Sequence, residues 1–194
     1  LEGPWLALKY KGAHPPLLLA DPDPAVVARL LAVGRGAVRM VTIAPERKGA
    51  LESIRLMAAN GVVAAIGHTE ADYDTCQRAI ESGATGATHL FNAMAPLRHR
   101  EPGPVLALWE DRRVYLELIM DGVHVRPELV AFVMATEPDR VVLVTDAMAA
   151  AAAADGDYVL GELPVEVREG VARIAGTDTI AGSTLTLDRA VRNA

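Results

Sequence analysis

The sequence predicts an α/β fold built on a parallel sheet, either a barrel or an open doubly wound sheet. Three observations predict it. Short apolar runs alternate with helix-length segments from Val38 to Val144, the rhythm of βα units. The runs are apolar almost throughout, as expected of strands buried on both faces. Finally, no GxGxxG or GxxxxGK[ST] fingerprint occurs, which argues against the nucleotide-binding open sheet.

The elements follow in order. Leu1 reads as the tail of a strand. Pro24 to Ala32 is a helix capped by Asp23. Val38 to Ile43 is a strand that ends at Ala44-Pro45-Glu46. Lys48 to Asn60 is a helix, stopped by Gly61. Val62 to Ile66 is the next strand. Glu70 to Ser82 is a helix that stops at Gly83, and Ala84 to Thr88 is the third strand. Val114 to Met120, the helix Pro127 to Ala135 and the strand Val141 to Val144 continue the alternation. Beyond Asp146 the rhythm changes: Tyr158 to Leu160, Leu163 to Val167 and Val171 to Ile174 read as short β segments, with Glu169-Gly170 as a turn. A last helix runs from Thr186 onward.

Composition bounds the function. With 194 residues and 51% hydrophobic content the chain can bury one sizeable core. No apolar run reaches the roughly 18 residues of a membrane helix, so no membrane partner is expected. The net charge of −6 disfavours a nucleic-acid partner. A single cysteine, Cys76, excludes an internal disulfide and fits a reducing cytoplasm. Both ends, Leu1-Glu2-Gly3-Pro4 and Arg192-Asn193-Ala194, read as cut, so a fragment of a longer protein is expected.

In parallel α/β folds the active site forms beyond the C-terminal ends of the strands. Those ends carry Glu2, His68, His89, Asp121 to His124, and Asp146. One histidine at a strand end is usually structural. Two on adjacent strands, His68 and His89, point instead to a metal, because neutral imidazole offers a lone pair. A carboxylate from Glu2 would complete a set that leaves an open coordination position, as a hydrolytic zinc site requires. Asp146 reads equally as a proton acceptor or as a capping carboxylate. His14 sits in a polar loop. Arg98, His99 and Arg100 form a basic cluster, which is a solvated face or a grip on an anionic substrate group.

The segments Leu1-Glu2-Gly3-Pro4, Lys11-Gly12-Ala13-His14, Gly67-His68-Thr69, Thr88-His89-Leu90-Phe91-Asn92-Ala93-Met94, Arg100-Glu101-Pro102-Gly103, Asp121-Gly122-Val123-His124, Val144-Thr145-Asp146-Ala147 and Ala181-Gly182-Ser183 occur in one order. That series resembles the N-acetylglucosamine-6-phosphate deacetylases of the amidohydrolase superfamily, over essentially the whole chain. The resemblance implies a partial (β/α)8 barrel of the metal-dependent type over residues 1–194, with a β-rich segment at about 156–176 belonging to a small β domain. It implies Glu2, His68 and His89 as ligands of a divalent metal ion, zinc in the first instance. Asp146 would be general base and acid, and His14 would polarise the acetyl carbonyl. Ala13, Asn92, Ala93, Arg100, Asp121, His124, Ile180, Ala181 and Gly182 would lie on the substrate side. A homodimer acting on an amino-sugar phosphate is implied as well.

Such a barrel needs eight strands and about 250 residues. Five strands plus the stub at Glu2 are legible, so the first two strands, the family's first metal-site motif, the C-terminal helix and the rest of the small domain are expected to lie outside the chain. The poly-Ala stretch Ala149 to Ala154 replaces a loop that is usually richer in Gly and Pro. Two other readings stay open: an amidohydrolase acting on a different amide or cyclic amide, and a non-catalytic fragment that only binds sugar phosphate.

Overall fold

In the computed structural model, which describes residues 1–194, the chain divides into two compact units, Leu1–Leu116 and Glu117–Ala194. The first opens with Leu1–Gly3 lying parallel to strand β1 (Met40–Ile43). The Leu1 carbonyl accepts from Thr42 N–H at 2.8 Å, and Glu2 bridges Thr42. Helix α1 (Pro24–Gly34) is capped by Asp23, whose carboxylate accepts from Ala25 N–H at 2.8 Å. It ends with Arg35 in the left-handed region, and a tight turn from Gly34 to Ala37 delays β1 to Met40 rather than Val38. Helix α2 (Ala50–Ala59), strand β2 (Val63–Ile66), helix α3 (Tyr73–Glu81) and strand β3 (Ala84–Ala87) follow.

Two helix starts differ from the sequence reading for local reasons. Gly49, at φ 84°, is the N-cap of α2, which therefore begins at Ala50 instead of Lys48. At α3 the Glu70 N–H is taken by the Glu46 carboxylate, and Asp72 caps Thr75 N–H at 2.7 Å, so the helix starts at Tyr73. Helix α4 (Gly103–Glu110) was not anticipated; Pro104 sits in its first turn, where proline is tolerated. The strands pair in parallel, Thr42 opposite Ala65 and Ile66 opposite Ala87. Ile43, Ile66 and Leu116 of the strands are completely buried, as are Ile54 and Met57 of helix α2.

Strand β4 (Tyr115–Ile119) pairs with β3 through Tyr115 and Leu116, and with β5 (Val141–Val144) the five-stranded sheet has the order β1-β2-β3-β4-β5. Unit two contains the rest of β4, helix α5 (Pro127–Thr136), strand β5 (Val141–Val144) and helix α6 (Leu187–Asn193). Ile119, Leu185 and Ala190 form a buried cluster against Leu143 and Val144. Strands β6 (Gly156–Leu160), β7 (Leu163–Arg168) and β8 (Val171–Ile174) make a separate antiparallel sheet. Along β7, Val165 and Val167 face inward while Pro164, Glu166 and Arg168 are exposed, the period-two pattern of a sheet with one wet face. The β7–β8 turn places Glu169 and Gly170 both at positive φ, the requirement of a two-residue hairpin turn matched to strand twist. No helix is long and apolar enough to cross a membrane.

Candidate metal centre

Within the first unit, strands β2 and β3 deliver His68 and His89 at equivalent places just beyond their C-terminal ends. Both residues are left-handed, at φ 47° and 31°, and the turn after His89 keeps Phe91 and Ala93 left-handed too. Such conformations cost on the order of 1–3 kcal/mol at a non-glycine residue and persist only where the surroundings impose them. Here the surroundings are visible. Thr69 N–H donates to the Ala93 carbonyl at 3.1 Å and Ala95 N–H to the Thr69 carbonyl at 3.0 Å, which stitches the two post-strand turns together.

Beneath them lies a packing reason for Gly67. The Thr42 and Thr88 hydroxyls meet at 2.8 Å, both buried. A Cβ on Gly67 would come 2.7 Å from Thr88 Cβ and 3.0 Å from Thr42 Cγ2. Only glycine leaves room for the threonine pair.

The two imidazoles converge on Glu2. His68 Nε2 lies 3.2 Å and His89 Nε2 3.1 Å from Glu2 Oε1, and the two nitrogens are 3.1 Å apart. Both histidines are 5% exposed, whereas the Glu2 side chain keeps 33% of its surface in water. His68 Nδ1–H donates to the Tyr10 carbonyl at 2.6 Å, which fixes the ring orientation and turns Nε2 toward Glu2. Burial alone would raise the Glu2 pKa, but hydrogen bonds and charge from His68 and His89 outweigh it and hold the carboxyl well below the usual carboxylate range. Three donor atoms, all within 4.8 Å of one another, two of them nitrogen and one carboxylate oxygen, fit a divalent cation of the zinc type. Without a shared cation or proton, two imidazole nitrogens at such a distance would repel.

His14 joins the same place. Its Nε2 is 3.5 Å from Glu2 Oε2 and its ring stands edge-on to His68, with centroids 5.0 Å apart. Its Nδ1–H donates to the Lys11 carbonyl at 2.9 Å. Ala13 is half-buried in that turn. Gly12, at φ 56°, passes so close that a Cβ there would lie 3.3 Å from His68 Cε1.

The remaining first-unit residues take other positions. Asn92 is half-buried and its amide lies 3.4 Å from the His89 and Leu90 carbonyls. Arg100 is exposed and lines a cavity of about 570 Å³ together with Lys9, Tyr10 and Arg98, but also Glu70, Asp72, Asp74 and Glu101. That lining is balanced in charge rather than basic.

In the second unit Asp121 is committed internally. Its carboxylate accepts from Val123 N–H and His124 N–H at 2.8 Å each and from His124 Nδ1–H at 2.6 Å. Asp121 thereby positions His124. Burial raises the Asp121 pKa, but the His124 side chain and the backbone N–H groups prevail and lower it. Asp146 is exposed and left-handed at φ 48°. Its carbonyl accepts from Ser183 N–H at 2.7 Å, Met148 N–H returns to the Ser183 carbonyl at 2.9 Å, and the Ser183 hydroxyl donates to the Thr145 carbonyl. Gly182 is required beside it, because a Cβ would stand 2.9 Å from the Asp146 carbonyl oxygen. Ala181 is buried and its N–H donates to Ala172 at 3.1 Å; Ile180 bridges Arg173.

Sequence reasoning missed four participants: the Tyr10 carbonyl, Glu46, Thr69 and Ser183. Glu46 had a signal, since it too follows a strand end. Tyr10 had none, because a backbone carbonyl leaves no trace in side-chain identity.

No family model matches the chain. It is 43% identical over its whole length to the N-acetylgalactosamine-6-phosphate deacetylase of Escherichia coli O157:H7, and 40% identical to the N-acetylglucosamine-6-phosphate deacetylase of Bos taurus. The chain spans about half the length of these curated relatives, 51% and 49% respectively. It superposes with a TM-score of 0.97, at 56% identity, on an aspartate-to-alanine variant of N-acetyl-D-glucosamine-6-phosphate deacetylase from Mycobacterium smegmatis in complex with N-acetyl-D-glucosamine-6-phosphate, covering 100% of this chain and 51% of that one. For the N-acetylglucosamine-6-phosphate deacetylase of Thermotoga maritima the TM-score is 0.90 at 36% identity, covering 99% of this chain and 52% of the other. The parallel strand–helix sheet and the separate antiparallel sheet thus agree with the α/β architecture expected from sequence.

Proposed function

We propose that the protein carrying this chain hydrolyses the N-acetyl group of N-acetylglucosamine 6-phosphate, releasing glucosamine 6-phosphate and acetate in amino-sugar catabolism. The observation that carries the reading is the convergence of Glu2, His68 and His89 in a chain that matches half of the deacetylases along its whole length.

Glu2, His68 and His89 would hold a divalent ion, zinc in this reading. When bound, such an ion supplies Lewis acidity, polarising an amide carbonyl and lowering the pKa of water. The remaining work falls to the chain. Asp146 takes the proton from the attacking water and returns it to the sugar nitrogen. The C–N bond breaks, the water oxygen ends in acetate, and the nitrogen leaves as the amine. His14 steadies the oxyanion. Because its Nδ1–H is committed to Lys11, only a doubly protonated His14 can donate from Nε2. Arg100, with its planar fork of donors, suits the phosphate, aided by Asn92, the Ala93 backbone and His124. Ala13, Asp121 and the Ile180–Gly182 segment border the sugar. The assembled protein is a homodimer in the cytoplasm, the latter in keeping with a single free, buried cysteine.

Acetate release from N-acetylglucosamine 6-phosphate by the full-length, zinc-loaded protein tests the reading, and its absence would sink it. The galactosamine name of the Escherichia coli relative favours a second reading, in which the C4 epimer is the better substrate. Comparing kcat/KM for the two 6-phosphates separates them, and unphosphorylated N-acetylglucosamine tests the role of Arg100.

A further inference from the structure

We infer that Glu46 is a positioning residue for the metal centre, acting through Thr69 on the turns that carry His68 and the Asn92-Ala93 pair. The inference rests on Glu2, His68 and His89 holding the ion.

Glu46 follows strand β1. Its carboxylate spans the residues just after His68. One oxygen accepts from the Thr69 hydroxyl at 2.5 Å, the other from Glu70 N–H at 2.8 Å. The Thr69 hydroxyl in turn accepts from Ala71 N–H at 3.0 Å. Thr69 is fully buried, and its backbone exchanges bonds with Ala93 and Ala95. One carboxylate therefore fixes the turn after β2 and, through one residue, the turn after β3. Charge-assisted bonds of this kind are the stronger class. Their geometric effect falls on His68, whose left-handed backbone needs an external hold. Metal sites depend on such outer partners, whose loss typically weakens metal affinity ~10–100-fold.

The test is a zinc titration of the full-length protein by chelator competition, at a temperature where circular dichroism shows every variant folded. Glu46→Ala is expected to weaken zinc ~10–100-fold, with Thr69→Val similar and the double variant no worse than the weaker single one, since both remove one shared interaction. Glu46→Gln, which can still reach both partners through neutral bonds, falls between parent and Glu46→Ala. Glu52→Ala, an exposed carboxylate on α2, leaves zinc affinity unchanged. If Glu46→Ala lowers thermal stability alone and zinc affinity stays at the parental value, the inference is overturned. A parent that binds no zinc overturns it too. A parent that binds zinc but releases no acetate removes the deacetylase reading, while the titration still decides the role of Glu46.

Discussion

His68 Nδ1–H donates a 2.6 Å hydrogen bond to the carbonyl of Tyr10, a residue 58 positions away, and in doing so aims the other ring nitrogen at Glu2. The bond makes His68 a preoriented side chain rather than a freely rotating imidazole. His68→Ala and His89→Ala are therefore each expected to weaken zinc binding by more than the ~100-fold upper range of an outer partner. Metal analysis after gel filtration checks this: stoichiometric zinc in the parent, little in either variant.

Gly67→Ala is expected to destabilise the fold although alanine is the better strand and helix residue. The new methyl meets the Thr42–Thr88 pair at 2.7 and 3.0 Å, and overpacking of a tight core costs about 1–3 kcal/mol. Urea denaturation of parent and variant measures the difference.

Asp146→Asn in the full-length protein should lower kcat by ~10²–10⁴-fold, the usual contribution of a general base and acid. Zinc content and substrate binding should stay close to parental, because the backbone bonds that hold residue 146 run through its carbonyl to Ser183. Steady-state kinetics with metal analysis reads both.

Asp121 should make stability pH-dependent on the acid side. Its folded pKa lies below that of the unfolded carboxyl, so its contribution is complete above about 3.9 and is lost as pH falls from there through the lower folded value. Asp121→Asn should flatten that part of the curve. Denaturation midpoints recorded between neutral and acid pH give the comparison, and parallel curves would count against it.

Much of this molecule was legible from residues alone. Strand β5 occupies the predicted Val141 to Val144, and the Glu169-Gly170 turn lies where the dipeptide places it, because apolar runs and left-handed turn residues act locally. The convergence of Glu2 with two histidines was legible because parallel topology puts strand ends on one edge. What escaped acts by backbone or by competition between neighbours. Helix α3 lost its first predicted turn because the Glu70 N–H went to Glu46, a partner 24 residues back. The hold of Tyr10 on His68 runs through a carbonyl, which every residue possesses.

The left-handed backbone at His68, His89 and Asp146 has an evolutionary consequence. At each of these positions the cheapest occupant of the conformation is glycine, followed by asparagine, neither of which gives the proposed metal or proton chemistry. Selection for activity must keep working against that conformational gradient. In a descendant lineage freed from catalysis, these are the first three places where glycine or asparagine should accumulate, while Gly67 and Gly182, held by space instead of chemistry, should outlast the function.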